Sequence, residues 1–202
     1  MLMMRGCLPA RILSPVFVFS LYPGMKKLSL EELHRLSVEQ FHSETKFPVT
    51  LVLDNIRSLY NVGSAFRTAD AFRLEKIILC GITGTPPHRE IEKSALGATQ
   101  SVAWSYEEDA AIAVQNLKAN GYRIVAAEQT TESIPLQRFT CSEKEKIALV
   151  FGNEINGVST SALDHVETAV EIPQFGTKHS LNVSVCLGIV VWEILRKTLP
   201  AV

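Results

Sequence analysis

An α/β domain, with a mostly parallel sheet and helices on both of its faces, is the fold this sequence predicts. Short apolar runs rich in β-branched residues recur after residue 48 and alternate with helix-like stretches. The runs lack the in-out polar alternation of a half-solvated sheet, so both faces should be covered. A length of 202 residues suits one such domain with a short appendage.

Residues 1–24 are read as a disordered or non-native extension. Their apolar run is broken by Pro15, lacks a small-x-small cleavage site and is too short to span a bilayer. Met25 is the expected native start. Residues 25–48 form a helical segment, with an amphipathic helix from Ser29 to His42. Ser29 and Glu32 supply a capping box there, and Leu30, Leu33 and Leu36 recur on one side. Lys46 to Pro48 breaks the pattern, and residues 49–202 make the main domain. Strands are expected at 49–54, 76–80, 101–104, 122–128, 147–151 and 168–172. Helices are expected from Gly63 to Phe72, Glu107 to Asn120 and Ser180 to Lys197, with Gly121 closing the second and Pro200 following the third.

Composition narrows the function classes. A net charge of −1 argues against a protein that coats nucleic acid unspecifically, so any such contact is a local patch. Cys80 and Cys186 sit in apolar runs and read as small buried hydrophobes. Neither the cysteines nor the histidines show metal-ligand spacing, so no metal is expected, and a reduced, cytoplasmic setting without membrane attachment is the simplest reading.

Three polar clusters fall after predicted strands, where open parallel sheets place their ligands. The first is "NVGSAFRTAD", with Asn61 and Gly63 at a strand-to-helix turn and Arg67 one helical turn beyond. It matches neither a P-loop nor the G-x-G-x-x-G of dinucleotide enzymes. By itself it equally fits an ordinary turn capped by a solvated arginine. The second is "FGNEING", two glycines bracketing Asn153, Glu154 and Asn156 after the strand at 147–151. The third is "IPQFGTKHSLNVSV", where Ser180, Asn182 and Ser184 open an otherwise apolar helix. Capping accounts for Ser180 but leaves Asn182 and Ser184 unexplained.

Taken together, the clusters resemble the SpoU/TrmH family of RNA ribose 2′-O-methyltransferases, of the SPOUT class. Asn61, Gly63 and Arg67 match its first motif, and Gly152, Glu154 and Gly157 match the G-x-E-x-x-G of the second. Residues Ile172 to Val185 match the third; Gln174 departs from the usual Met, which leaves its contact with cofactor open. "KSALGA" at 93–98 also looks like a family segment, and the resemblance runs from about Val49 to Lys197. It implies a deep trefoil knot in the carboxyl-terminal half and S-adenosylmethionine as methyl donor. It also implies a homodimer through the last helix and the knot.

Carried onto this chain, the cofactor contacts are Ala127, Glu128, Gln129, Gly152, Ile172, Gln174, Ser180, Leu181 and Val183. Arg67 centres the chemistry, with Asn61, Glu154, Ser180 and Asn182 around it. Since the guanidinium pKa exceeds about 12, Arg67 is better read as a phosphate ligand than as a base. Glu154 would orient its guanidinium. The stretch from Gly121 to Leu136, with "FGNEINGV" and "EIPQFG", looks most like tRNA guanosine-18 enzymes, which favours tRNA. The alternatives are ribosomal RNA as substrate, or an RNA-binding relative without catalysis.

Overall fold

The computed structural model describes residues 24–29 and 31–198, in a short amino-terminal unit up to Arg35 and a main unit from Leu36. Apart from Gly24, the extension expected over residues 1–24 lies outside the described residues. In the first unit Ser29 and Glu32 make their reciprocal bonds, 2.7 Å from Ser29 N to Glu32 Oε2 and 3.3 Å from Glu32 N to Ser29 Oγ. A helix does not follow. The chain makes a turn and places His34 at φ +47°, a left-handed conformation that stops helix propagation. The helix expected from Ser29 to His42 is therefore confined, in the main unit, to α1 (Val38–Ser43). It has its own capping box of Ser37 and Gln40.

From there the chain runs through β1 (Phe47–Asp54), α2 (Leu59–Ala71), β2 (Leu74–Cys80), α3 (Arg89–Ala95), α4 (Ala98–Ser101) and β3 (Trp104–Glu107). It continues with α5 (Ala110–Ala119), β4 (Arg123–Ala127), β5 (Ile134–Pro135), β6 (Ile147–Gly152), α6 (Thr160–Leu163), β7 (Thr168–Glu171) and α7 (Val183–Thr198). The strands form one seven-stranded sheet in the order β3-β2-β1-β6-β4-β7-β5, and every pairing is parallel. One face carries the larger core, where Val62, Phe66, Ile91, Leu187 and Val191 pack from α2, α3 and α7. On the other, Ala113, Val114 and Ala162 of α5 and α6 cover Val52, Ile124 and Val150.

Several boundaries differ from the sequence reading: α2 begins at Leu59 rather than Gly63, and α7 at Val183 rather than Ser180. Gly97, at φ +89°, starts the short α4, so the strand expected at 101–104 begins only at Trp104. The next helix starts after Asp109, whose side chain accepts from the Ala111 amide at 2.8 Å, rather than at Glu107. Because all strands are parallel, the carboxyl ends of the neighbours β1, β6, β4 and β7 lie along one edge. Asp54, Gly152, Ala127 and Glu171 end those strands, so the polar clusters that follow converge there.

Candidate active site

At that edge a cavity of about 620 Å³ opens between the ends of β4, β6 and β7 and the start of α7. All nine residues expected to hold a cofactor line it: Ala127, Glu128, Gln129, Gly152, Ile172, Gln174, Ser180, Leu181 and Val183. Glu154 and Asn182 line it as well, whereas Asn61 and Arg67 do not.

The glycines of the second cluster make its wall possible. A Cβ on Gly152 would stand 1.9 Å from the Gly157 carbonyl carbon and 2.0 Å from the Val158 nitrogen. That closeness lets Asn153 and Gly157 exchange backbone hydrogen bonds of 3.1 and 3.0 Å, closing a tight turn around Glu154. Gly157 needs its own lack of a side chain, since it sits at φ +68° against the Glu128 carboxylate. Glu128 accepts from the Val158 amide at 2.9 Å with one oxygen and from the Gln129 amide at 2.9 Å with the other. It therefore ties the turn to the end of β4.

Within one chain Glu154 is bonded to partners other than Arg67, the residue the sequence reading expected it to orient. One of its oxygens accepts from Asn61 Nδ2 at 2.7 Å and the other from the Arg57 amide at 3.5 Å. Partial burial pushes its carboxyl up. Its own amide, the Asn61 side chain and the Arg57 and Ser58 amides together outweigh that, leaving it below the ordinary carboxylate range. Asn61, only 8% exposed in the first turn of α2, in turn accepts from Asn182 Nδ2 at 3.2 Å. Asn182 Oδ1 then takes the Ser184 amide at 2.9 Å and the Ser184 hydroxyl at 2.7 Å. Asn182, not Ser180, caps α7, which begins at Val183. The polar row is thus explained: Ser184 satisfies the cap, and Asn182 joins the cap to the other two clusters. Ser180 lines the cavity and makes no side-chain hydrogen bond among the described residues.

Gly63 is not in a turn, as its sequence neighbours implied, but inside α2. A Cβ there would stand 2.3 Å from the Ile91 carbonyl oxygen and 2.1 Å from Ser94 Oγ, so this glycine lets α3 press against α2. Arg67 lies on the outer stripe of α2 with Tyr60 and Ala71, exposed and without an ion pair or hydrogen bond among the described residues.

Sequence reading missed the floor of the cavity, where α7 contributes Cys186 and Val190 beside Phe151 and Val170. Their 3.6-residue spacing along α7 was visible, but which stripe turned inward was not. Burial, helped by the Glu128 carboxylate, pushes the Cys186 thiol up to about 11, so it serves as an apolar wall. The walls suit a partly apolar ligand, and Glu128, Glu154 and Glu171 give the lining a cation-accepting character. Among the described residues no cluster of His, Cys, Asp and Glu is arranged to hold a metal ion, and no helix is long and apolar enough to cross a membrane.

The model of the SpoU rRNA methylase family matches residues 48–192. A 23S rRNA (guanosine-2′-O-)-methyltransferase of Neisseria meningitidis is 32% identical over 150 residues, covering 74% of this chain and 59% of that protein. A tRNA (guanosine(18)-2′-O)-methyltransferase of Borreliella burgdorferi is 30% identical over 149 residues, covering 74% of this chain and 66% of that one. The chain thus spans less than two thirds of the length of either relative. Among solved structures, the AdoMet-bound rRNA methyltransferase of Sinorhizobium meliloti superposes with a TM-score of 0.70 at 26% identity, covering 82% of this chain and 62% of that one.

Proposed function

The chain belongs to the SpoU rRNA methylase family, and from that premise we propose that it transfers the methyl group of S-adenosylmethionine to a ribose 2′-hydroxyl of RNA. The observation that carries this reading is the hydrogen-bond chain Glu154–Asn61–Asn182, which joins three sequence-distant motifs at the mouth of one cavity. A volume of about 620 Å³ falls within the usual range for small-ligand sites, about 300–1,000 Å³. Its residues fit that cofactor: Phe151, Val170, Ile172 and Cys186 give an apolar bed for a nucleoside, and the three glutamates favour a positive sulfonium and amino group. The related Sinorhizobium structure is described as AdoMet-bound.

When bound, the cofactor supplies an electrophilic methyl group. The protein's part is alignment and handling of one proton. Glu154, kept anionic, holds the Asn61 amide; Asn61 fixes Asn182, and Asn182 fixes the start of α7. Ser180 binds the incoming ribose in this reading, which its unbonded hydroxyl at the cavity wall supports. Arg67 binds the phosphate next to that ribose, since a guanidinium is a poor base.

Arg67 stands outside the cavity of its own chain, and a homodimer through α7 would offer it a second one. Val185, Ile189 and Trp192 form an exposed apolar stripe along α7, with Trp192 50% exposed and 6.1 Å from Phe72 at the end of α2. This stripe supports the dimer reading. The knot has support of its own. β7 inserts between β4 and β5, and Gln129 of the β4–β5 connection donates to the His179 carbonyl, 2.9 Å away, in the segment leaving β7.

The favoured substrate is tRNA at a guanosine-18-like site, in a cytoplasmic setting. Ribosomal RNA is the second reading, favoured by the identity to the Neisseria protein. Mapping 2′-O-methyl sites lost from tRNA and rRNA in a deletion strain tests both. Loss of a tRNA site alone supports the first, and loss of an rRNA site alone supports the second. If no cellular RNA accepts a methyl group from the purified protein, the RNA-binding relative without catalysis replaces both.

A further inference from the structure

We propose that a groove beside the cofactor cavity binds the nucleotide next to the methylated one on the same RNA strand, its base between Ile82 and Ile155 and its phosphate on Arg57. The proposal rests on the RNA reading above. The groove has a volume of about 480 Å³, inside the range of about 300–1,000 Å³ common for ligand sites. It shares the turn carrying Asn153, Ile155 and Asn156 with the cofactor cavity, so the two are separated by one wall. A strand whose ribose enters the first can lay a neighbouring nucleotide across the second.

The lining fits a nucleotide in three respects. Ile82 and Ile155 are each 68% exposed and both border this one groove. Apolar side chains on either side of a base are a recurrent way of holding it out of its stack. Arg57 provides the single charged side chain of the lining, and that side chain has no partner among the described residues. No carboxylate lines the groove; Asp54, at the end of β1, is engaged by the Ser159 and Asn55 nitrogens, both at 2.7 Å, and Glu154 by Asn61 Nδ2 and the Arg57 amide. The Asn156 side-chain amide is likewise free to read a base edge.

The wall is also built to stay in place. Asn55, held at φ +55°, accepts from the Ile82 amide at 3.1 Å, and Gly81 leaves room for this contact at φ +61°. Beneath it the buried Thr83 hydroxyl donates to the Leu53 carbonyl at 3.0 Å and accepts from the Ile56 amide at 2.9 Å. Ile82 is thereby presented outward by a turn pinned to the ends of β1 and β2, which lowers the ordering cost of binding.

Arg57 and Ile82 border the groove and not the cofactor cavity, so they give a clean test. Arg57→Ala and Ile82→Ala are compared with wild type for S-adenosylhomocysteine affinity by calorimetry, and for binding and methylation of tRNA and rRNA from a deletion strain. Cofactor affinity should stay within about twofold. RNA affinity should fall on the order of tenfold in each variant, the usual scale for one lost base contact. The salt dependence separates their parts: the log–log slope drops by about one in Arg57→Ala and is unchanged in Ile82→Ala. Unchanged RNA affinity in both folded variants overturns the groove while leaving the methyltransferase reading intact. A wild type that binds RNA without methylating it, together with weakened binding in the variants, overturns that reading and supports the groove. A wild type that binds no RNA overturns the two together.

Discussion

Replacing Asn61 with Asp keeps the shape of the side chain and converts its donor into an acceptor. Two carboxylate oxygens would then face each other across the 2.7 Å now bridged by Nδ2 and Glu154 Oε1. Coulomb's law at that separation gives about 1.5 kcal/mol in bulk water and about 6 kcal/mol at the effective dielectric of a protein surface. Glu154 is exposed on one side, so a repulsion of about 2 kcal/mol is the better figure. The lost hydrogen bond to a charged group adds about 1.5 kcal/mol or more. Together they predict a loss of about 3–4 kcal/mol at neutral pH.

The sign of the pH dependence is the sharper expectation. In the wild type burial raises the Glu154 carboxyl but its hydrogen bonds lower it further, so the folded value lies below the unfolded one. Its contribution to stability is therefore present above the unfolded pKa and lost as pH falls through the folded pKa. In Asn61→Asp the pair would share a proton, lifting one folded pKa above its unfolded value. That contribution is present below the unfolded pKa and lost as pH rises through the raised one. Urea denaturation followed by circular dichroism from about pH 4 to about pH 8 measures both. The deficit of the variant should be small in acid and grow toward neutral pH. A deficit constant across that span, or none at all, would refute the Glu154–Asn61 contact as drawn.

Gly152→Ala should lower Tm by several degrees, because its Cβ meets backbone of Gly157 and Val158 that cannot rotate away; overpacking of this kind costs about 1–3 kcal/mol. S-adenosylhomocysteine binding should weaken in the same variant, and a normal melting curve with normal affinity would contradict the assigned role of the glycine. Arg67→Ala should lower methyl transfer about tenfold or more, the scale of one lost phosphate contact, while leaving cofactor affinity within about twofold, since Arg67 does not line the cavity of its own chain. Calorimetric loss of cofactor binding would sink that division of labour. With the wild type sedimenting as the proposed dimer, Trp192→Asp should yield a monomer, as a charge is set into the apolar stripe of α7; an unchanged dimer would put the interface elsewhere, and a monomeric wild type would overturn the dimer proposal.

Much of the sheet was legible because parallel central strands carry uninterrupted apolar runs. "VTLVLD" lies within β1 and "IALVF" within β6, and the motifs after them were found for the same reason. Short elements escaped. β5 has two residues and borders a single neighbour, too few for any periodicity. Ser29 and Glu32 had the right spacing for a capping box and made its bonds, yet capping starts a helix without guaranteeing its continuation past His34. Its neighbours in sequence put Gly63 at the turn that opens a helix, while its actual constraint comes from Ile91 and Ser94 some thirty positions away. In the candidate site, residue identities were legible and pairings were not. Glu154 lies 93 positions from Asn61, and only the adjacency of β1 and β6 brings them into contact.

Asn182 has one side chain and two obligations, one at each end of its amide. Its oxygen seats the first turn of α7, and its nitrogen grips Asn61. A helix held at its first turn behaves like a key held at the bow: turning it about its long axis drags the held end. Any twist of α7 that re-aims Val185, Ile189 and Trp192 must stretch the Asn182–Asn61 bond, and through it the Asn61–Glu154 bond. The outward azimuth of the apolar stripe and the alignment of Glu154 are therefore a single mechanical variable, so damage at the stripe should be felt at the carboxylate.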